Sequence, residues 1–267
     1  LDVHVDTFDR DAIKHDKSPE AGAERTLIIG WNEKGRNIIL ELESYVGAAS
    51  EVTILCRNEN TAGDLEKLKT VLQKQKLVFV EGETTDRATL ESIKPASFNH
   101  IIILCYNEFE VQEADAKTLI TLLHLRNISE KAGKDFSIVS EMRDIRNRTL
   151  ADVARADDFI VSDNLISLML SQISENKHLD KVFKDLFSPE GSEIYIKPIK
   201  HYVLTNRAVN FYTLVESAAD RGETAIGYRI QEHAQNPDKA YGVVINPDKN
   251  KKIQFSENDR IIVLSEN

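Results

Sequence analysis

From Arg25 onward, short apolar runs alternate with stretches of helical periodicity. The runs fall at Thr26 to Ile29, Val52 to Leu55, Leu77 to Val80, His100 to Cys105, Phe136 to Ser140 and Phe159 to Val161. Their brevity and their content of Val, Ile and Leu suit strands buried on both faces of a parallel sheet, and the segments between them suit crossover helices. Between the first two runs, Ile38, Ile39, Leu42, Tyr45 and Val46 recur at the spacing of one helix face, and Gly47 is a natural stop. Thr61 opens a second helix with an apolar line at Leu65, Leu68 and Leu72, and a third starts at Thr85 and carries Leu90 and Ile93. The rhythm predicts an α/β fold: a Rossmann-like, doubly wound parallel sheet with helical crossovers.

Beyond the sixth run the pattern changes. Leu165, Ile166, Leu168, Met169, Leu170 and Ile173 cover too much of a helix circumference for a one-sided surface helix, so a second surface must cover part of it. An amphipathic helix at Leu179, Val182, Phe183, Leu186 and Phe187 follows, and Ser188-Pro189-Glu190-Gly191-Ser192 breaks the chain. Further on, Glu193 to Ile196, Ala225 to Ile230, Tyr241 to Ile245 and Arg260 to Leu264 read as strands, with a helix at Asn210 to Ala219. The expected organisation is a linker or arm over 1–24, a Rossmann-like lobe over 25–162, an interface helix pair over 163–191 and a small C-terminal α+β lobe over 192–267. Leu165, Leu168, Met169 and Phe183 are the expected oligomer contacts, since an apolar face left open is an association site.

Charge and composition narrow the function. A net charge of −10 with no Lys/Arg stripe disfavours nucleic acid as a partner. The longest apolar runs fall far short of the roughly 20 residues that span a bilayer. Residues 1–24 hold seven acids against three bases and begin with Leu, so the start reads as a cut from a longer protein. The two cysteines, Cys56 and Cys105, end apolar runs and have no CxxC spacing, which makes them reduced, buried thiols.

The first strand runs into Gly30-Trp31-Asn32-Glu33-Lys34-Gly35, the place of the Rossmann phosphate turn. Two of its three glycines are present, and Asn32 stands at the middle one, where its Cβ crowds a dinucleotide phosphate. Alternatively, Gly30 and Gly35 serve only the turn and close packing, with Trp31 as a lid or interface residue. After the second strand Arg57 replaces the usual ribose-binding acid, and Tyr106, Asn107 and Glu141 lie where the fourth and fifth strands end. Gly30, Asn32, Gly35, Arg57, Tyr106, Asn107 and Glu141 are therefore the candidate ligand residues, at the carboxyl edge where open α/β sheets bind ligands. Each also reads as an ordinary loop residue. Glu108, Glu110, Glu113 and Asp115 read as a solvated helix start. No GxSxG elbow, P-loop or placed acid–base pair indicates catalysis.

The Gly turn, Glu81-Gly82-Glu83-Thr84-Thr85-Asp86 after the third strand, the paired helices after the sixth, and the closing Asn246-Pro247 with Asp259-Arg260-Ile261-Ile262-Val263-Leu264 together resemble the RCK domains that regulate potassium channels and transporters. Ile29-Gly30-Trp31-Asn32, Ser50-Glu51, Ile138-Val139-Ser140-Glu141 and Ile194-Tyr195-Ile196-Lys197 are similar to the CASTOR/POLLUX ion channel branch. The resemblance spans about residues 25–265. It implies a ligand-sensing gating-ring domain at the cytoplasmic face of a membrane, joined to its own transmembrane pore and assembled as dimers within a homo-oligomeric ring. It also implies calcium as an effector, with Glu141 at an acidic metal position, although Cys105 and Arg143 stand where further acids are expected; a dinucleotide is the weaker expectation. The alternatives are a nucleotide-binding subunit of a potassium uptake system and a dinucleotide-dependent oxidoreductase.

Overall fold

The computed structural model describes residues 8–15, 22–57, 61–134, 137–147, 158–188, 191–234 and 236–266. Of the features expected above, Phe136 and the Pro189-Glu190 step lie outside the described residues. The chain divides into two compact units, Ala21–Lys177 and His178–Asn267, the latter together with Leu1–Glu20.

The first unit is built on six parallel strands: β1 (Arg25–Ile29), β2 (Ser50–Cys56), β3 (Gln75–Glu81), β4 (His100–Ile103), β5 (Ser137–Met142) and β6 (Asp158–Val161). Their order, β3-β2-β1-β4-β5-β6, is that of the doubly wound dinucleotide-binding fold, with the reversal between β1 and β4. Strand periodicity sends alternate residues of β1 to opposite faces. Leu27 and Ile29 join Leu90, Phe98, Leu122 and Leu125 on one face, while Ile28 joins Ile39, Leu65 and Leu68 on the other. Burial on both faces explains the unbroken apolar runs.

The crossover helices are α1 (Glu33–Tyr45), α2 (Thr61–Lys69), α3 (Arg87–Ile93) and α4 (Val111–Ala132), and α5 (Ser162–Glu175) follows β6. The third helix starts two residues later than its pattern suggested because the Asp86 carboxylate caps it, accepting from the Thr89 N–H at 2.8 Å. Gly133, at φ +60°, closes α4 in the left-handed conformation that glycine adopts without strain.

In the second unit, strands β7 (Glu193–Pro198), β9 (Thr224–Arg229), β10 (Val243–Ile245) and β12 (Arg260–Ser265) form an antiparallel sheet in the order β10-β9-β12-β7. Two short strands, β8 (Ala208–Val209) and β11 (Ile253–Gln254), pair separately. Tyr241, expected in a strand, instead lies in a kinked turn at φ +53°, so the strand starts only at Val243. Helices α6 (Leu179–Leu186) and α7 (Phe211–Ala219) complete the unit, and α7 is capped by Asn210, which accepts from the Thr213 N–H at 3.1 Å. The core collects Tyr202, Val203, Phe211, Leu214, Phe255, Ile261 and Val263.

Residues 8–15 pack on this second unit. Ala12 is fully buried in its core, Lys14 N–H donates to Tyr202 O at 2.8 Å, and Leu204 N–H donates to Ala12 O at 2.8 Å. The Asp9 carboxylate pairs with Arg207 at 2.7 Å. Leu165, Ile166, Leu168 and Leu170 of α5 are all exposed, at 45–61%. On α6, Phe183 stacks on Phe187 at 6.3 Å, and Val182 and Phe187 are exposed.

Candidate ligand site

The register of the sheet determines which loops meet. Ile29 pairs with Leu55 on one side and Ile103 on the other, and Ile103 pairs with Ser140, so the ends of β1, β2, β4 and β5 stand level. Backbone bonds from Gly30 N–H to Leu55 O and from Leu104 N–H to Ile29 O, both 2.8 Å, carry the alignment one residue beyond the strands.

Gly30 has φ +85°, and a Cβ there would lie 2.5 Å from the Leu104 carbonyl oxygen. The glycine is required by the approach of two strands. At Gly35 a Cβ would lie 2.7 Å from the Trp31 ring, which is itself buried in the core beside Ile28 and Ile39. Trp31 is therefore neither a lid nor an interface residue; its indole fills the space between sheet and helix that Gly35 leaves. Both glycines follow the packing alternative set out above.

Asn32 caps α1. Its Oδ1 accepts from the Lys34 N–H at 3.0 Å, while its Nδ2 donates to Cys105 O at 2.8 Å and to Glu141 Oε2 at 3.0 Å. Glu141 Oε2 also accepts from the Cys105 N–H at 3.2 Å, and Glu141 Oε1 receives the Lys34 ammonium in a short ion pair. Glu141 is buried at 8% exposure. β5 extends to Met142, so Glu141 lies within the strand rather than beyond its end. Burial by itself lowers the Lys34 pKa, but the hydrogen bond and charge of Glu141 outweigh it and raise the ammonium above its ordinary value. Burial pushes the Cys105 thiol up to about 12, with the Glu141 charge adding to the shift, so Cys105 is a neutral thiol at physiological pH.

Asn107 adjoins this network through a weak contact between Cys105 Sγ and Asn107 Oδ1 at 3.9 Å. Tyr106 turns towards β3, where its hydroxyl bonds Thr84 and its ring meets Phe109 edge-on at 5.7 Å. Burial raises the Tyr106 hydroxyl to about 12. Arg57 is 76% exposed and faces Glu83 at 3.8 Å. The structure thus brings Gly30, Asn32, Gly35 and Glu141 together, sets Asn107 beside them, and places Arg57 and Tyr106 on the β3 side. Asn58 and Glu59, which follow Arg57, lie outside the described residues.

Two participants carry no motif. Lys34 is a cation in the first turn of a helix, against the helix dipole, and that misplacement is the one sequence sign that it has an anionic partner. Asp115, expected in a solvated helix start, is instead fully buried. It accepts from Arg143 N–H at 2.9 Å, Asp144 N–H at 3.0 Å and Asn147 Nδ2 at 2.8 Å, which pins the loop after β5 to α4.

As it stands the arrangement engages the Glu141 carboxylate within the chain. At the turn after β1 the Asn32 amide is tied down by its bond to Cys105 O at 2.8 Å. Both Glu141 oxygens are held by donors, and among the described residues no group of three or more His, Cys, Asp or Glu could hold a metal ion.

A level carboxyl edge, a β1–β4 reversal and a capped α1 define a Rossmann-like domain. The TrkA-N domain pattern matches residues 26–162, just over half of the chain, and the chain belongs to that RCK-like family. It is 28% identical over 285 residues to the "Probable ion channel POLLUX" of Oryza sativa subsp. japonica, covering 93% of this chain and 29% of that protein. It is also 28% identical over 289 residues to the "Ion channel CASTOR" of Lotus japonicus, covering 94% and 32%. The chain thus spans about a third of the length of these curated relatives. Among solved structures, the GsuK RCK domain aligns with 94% of this chain and 45% of its own, at 17% identity and a TM-score of 0.41.

Proposed function

We propose that this chain is the ligand-sensing gating domain of a cation channel, lying at the cytoplasmic face of a membrane and joined to a transmembrane pore outside the sequence described here. The observation that carries the reading is the alignment of more than nine-tenths of the chain with ion channels, together with a polar network at the sheet reversal. In this reading, an effector at Asn32, Asn107 and Glu141 touches both halves of the sheet and biases their relative position, with Gly30 and Gly35 setting the turn and Arg57 and Tyr106 forming the outer wall. A tenfold shift in gating needs only about 1.4 kcal/mol of differential binding. The apolar face of α5, with exposed Leu165 and Leu168 and half-buried Met169, and the half-buried Phe183 of α6 serve as contacts in a homo-oligomer. In this reading the domain acts by binding rather than by turnover, as expected of a relative of ion channels.

The test is cation flux through the full-length protein containing this chain, reconstituted in liposomes, with and without Glu141→Gln. The substitution is expected to shift the flux; absence of cation flux from the folded, inserted protein under every condition would refute the reading.

A further inference from the structure

The core of the second unit borders a cavity of about 500 Å³, within the size range of small-molecule sites. Its walls include the cross-strand partners Tyr228 of β9 and Val244 of β10, and Ile253 of β11. Tyr228 is 6% exposed, and its ring packs against Phe211 at 6.3 Å and edge-on against Phe255 at 5.3 Å. A buried tyrosine hydroxyl ordinarily finds a hydrogen-bond partner, but that of Tyr228 has none among the described residues. The hydroxyl is left to the cavity. Burial raises its pKa, so it stays a protonated donor at physiological pH. Charge then narrows what the cavity can receive. Lys251 and Lys252 line it, are exposed, and have no carboxylate partner among the described residues, in a chain whose net charge is −10. His233, on the same wall, has its Nε2 3.2 Å from the Lys239 ammonium, so a cation rather than an acid occupies it. Of the acids there, Glu232 is exposed to solvent, and buried Asp259 is already engaged: its two oxygens accept from the Gln231 N–H at 2.8 Å and the Ser256 N–H at 2.6 Å. The groups left for a ligand are a phenol, two ammonium groups and apolar walls.

We propose that this cavity binds a small organic anion, with the apolar body of the ligand against Val244 and Ile253 and its anionic group received by the Tyr228 hydroxyl and the Lys251 and Lys252 ammonium groups. The site lies wholly within the second unit and shares no residue with the network around Glu141, so it is a function beyond the gating reading and does not depend on it. Both parts of the ligand are needed. A bare anion meets only solvated ammonium groups and one hydroxyl, and exposed charge pairs contribute little by themselves. A neutral apolar molecule fills the walls but leaves the buried hydroxyl without an acceptor.

The probe is anilinonaphthalene sulfonate, an aromatic body with one anionic group whose fluorescence rises in an apolar site. Titrated into the chain, it is expected to bind saturably, and inorganic phosphate at the same concentrations is expected not to displace it. Tyr228→Phe removes the hydroxyl and keeps the ring that packs on Phe211 and Phe255; it should weaken binding roughly three- to tenfold. Lys251→Gln with Lys252→Gln, both on the surface, should weaken it about tenfold. Leu168→Asp on the exposed face of α5 is the control for general apolar binding and should leave the affinity unchanged. Circular dichroism confirms folding, and if Tyr228→Phe does not fold, the lysine variant decides. The absence of saturable binding to the folded chain, an affinity unchanged in either folded variant of the cavity, a loss caused by Leu168→Asp, or displacement by phosphate each overturns the proposal. None of these outcomes depends on cation flux, which tests the gating reading.

Discussion

Gly30→Ala separates a glycine kept for a ligand from one kept for the fold. The position has φ +85°, and the new Cβ would stand 2.5 Å from Leu104 O. An L residue in the left-handed region costs roughly 1–2 kcal/mol. The obstacle is the backbone next to β4 rather than a movable side chain, so relief requires the sheet to shift, at about 1–3 kcal/mol for a forced methyl in a packed core. Together these give a loss of roughly 2–5 kcal/mol, a large part of the stability of an ordinary domain. For a unit of this size the melting temperature should fall by roughly 4–20 °C. Thermal unfolding followed by circular dichroism, with no ligand added, measures it. Gly63→Ala is the control: nothing lies within 4 Å of a Cβ there and the residue is inside α2, so the chain should be unchanged or slightly stabilised. If Gly30→Ala melts with the unaltered chain, the close approach of β1 and the Leu104 carbonyl is not what requires glycine.

Asp115→Asn replaces one acceptor oxygen facing the Arg143 and Asp144 N–H groups with a donor, and should lower stability by about 2–4 kcal/mol in urea titrations; an unchanged midpoint would contradict the pinning role. Cys56 and Cys105 are buried, so an aromatic disulfide reagent at pH 8 should find no fast thiol in the folded chain and two after unfolding. Because folding raises the Cys105 pKa from 9.0 to about 12, the stabilisation linked to its protonation is complete below about pH 9 and is lost as pH rises towards 12; stability that climbs over that window would reverse the sign. Leu168→Asp with Met169→Asp should convert a self-associating chain to monomers by light scattering, and a monomeric mass for the unaltered chain would rule out the α5 contact.

The sequence alone determined the elements whose signal is local. The runs around Ile28, Ile54 and Ile102 are apolar because both sheet faces are covered, and the apolar lines at Leu65 and Leu68 and at Leu90 and Ile93 mark the helices that carry them. It also brought Gly30, Asn32, Gly35 and Glu141 into view, since the carboxyl ends of parallel strands are where such folds bind ligands. Only the tertiary structure decided what these residues do. Whether a glycine spares room for a phosphate or for a carbonyl depends on Leu104, 74 positions away, and whether Glu141 is open to a ligand depends on Lys34, 107 positions away. The buried role of Asp115 depends on a loop 28 residues on. The attachment of residues 8–15 to the second unit rests on partners such as Tyr202 and Thr213 that no periodicity links to them. Periodicity records which face of an element is apolar; hydrogen bonds between distant residues leave no periodic trace, so the polar interior of the site is settled only when the sheet closes.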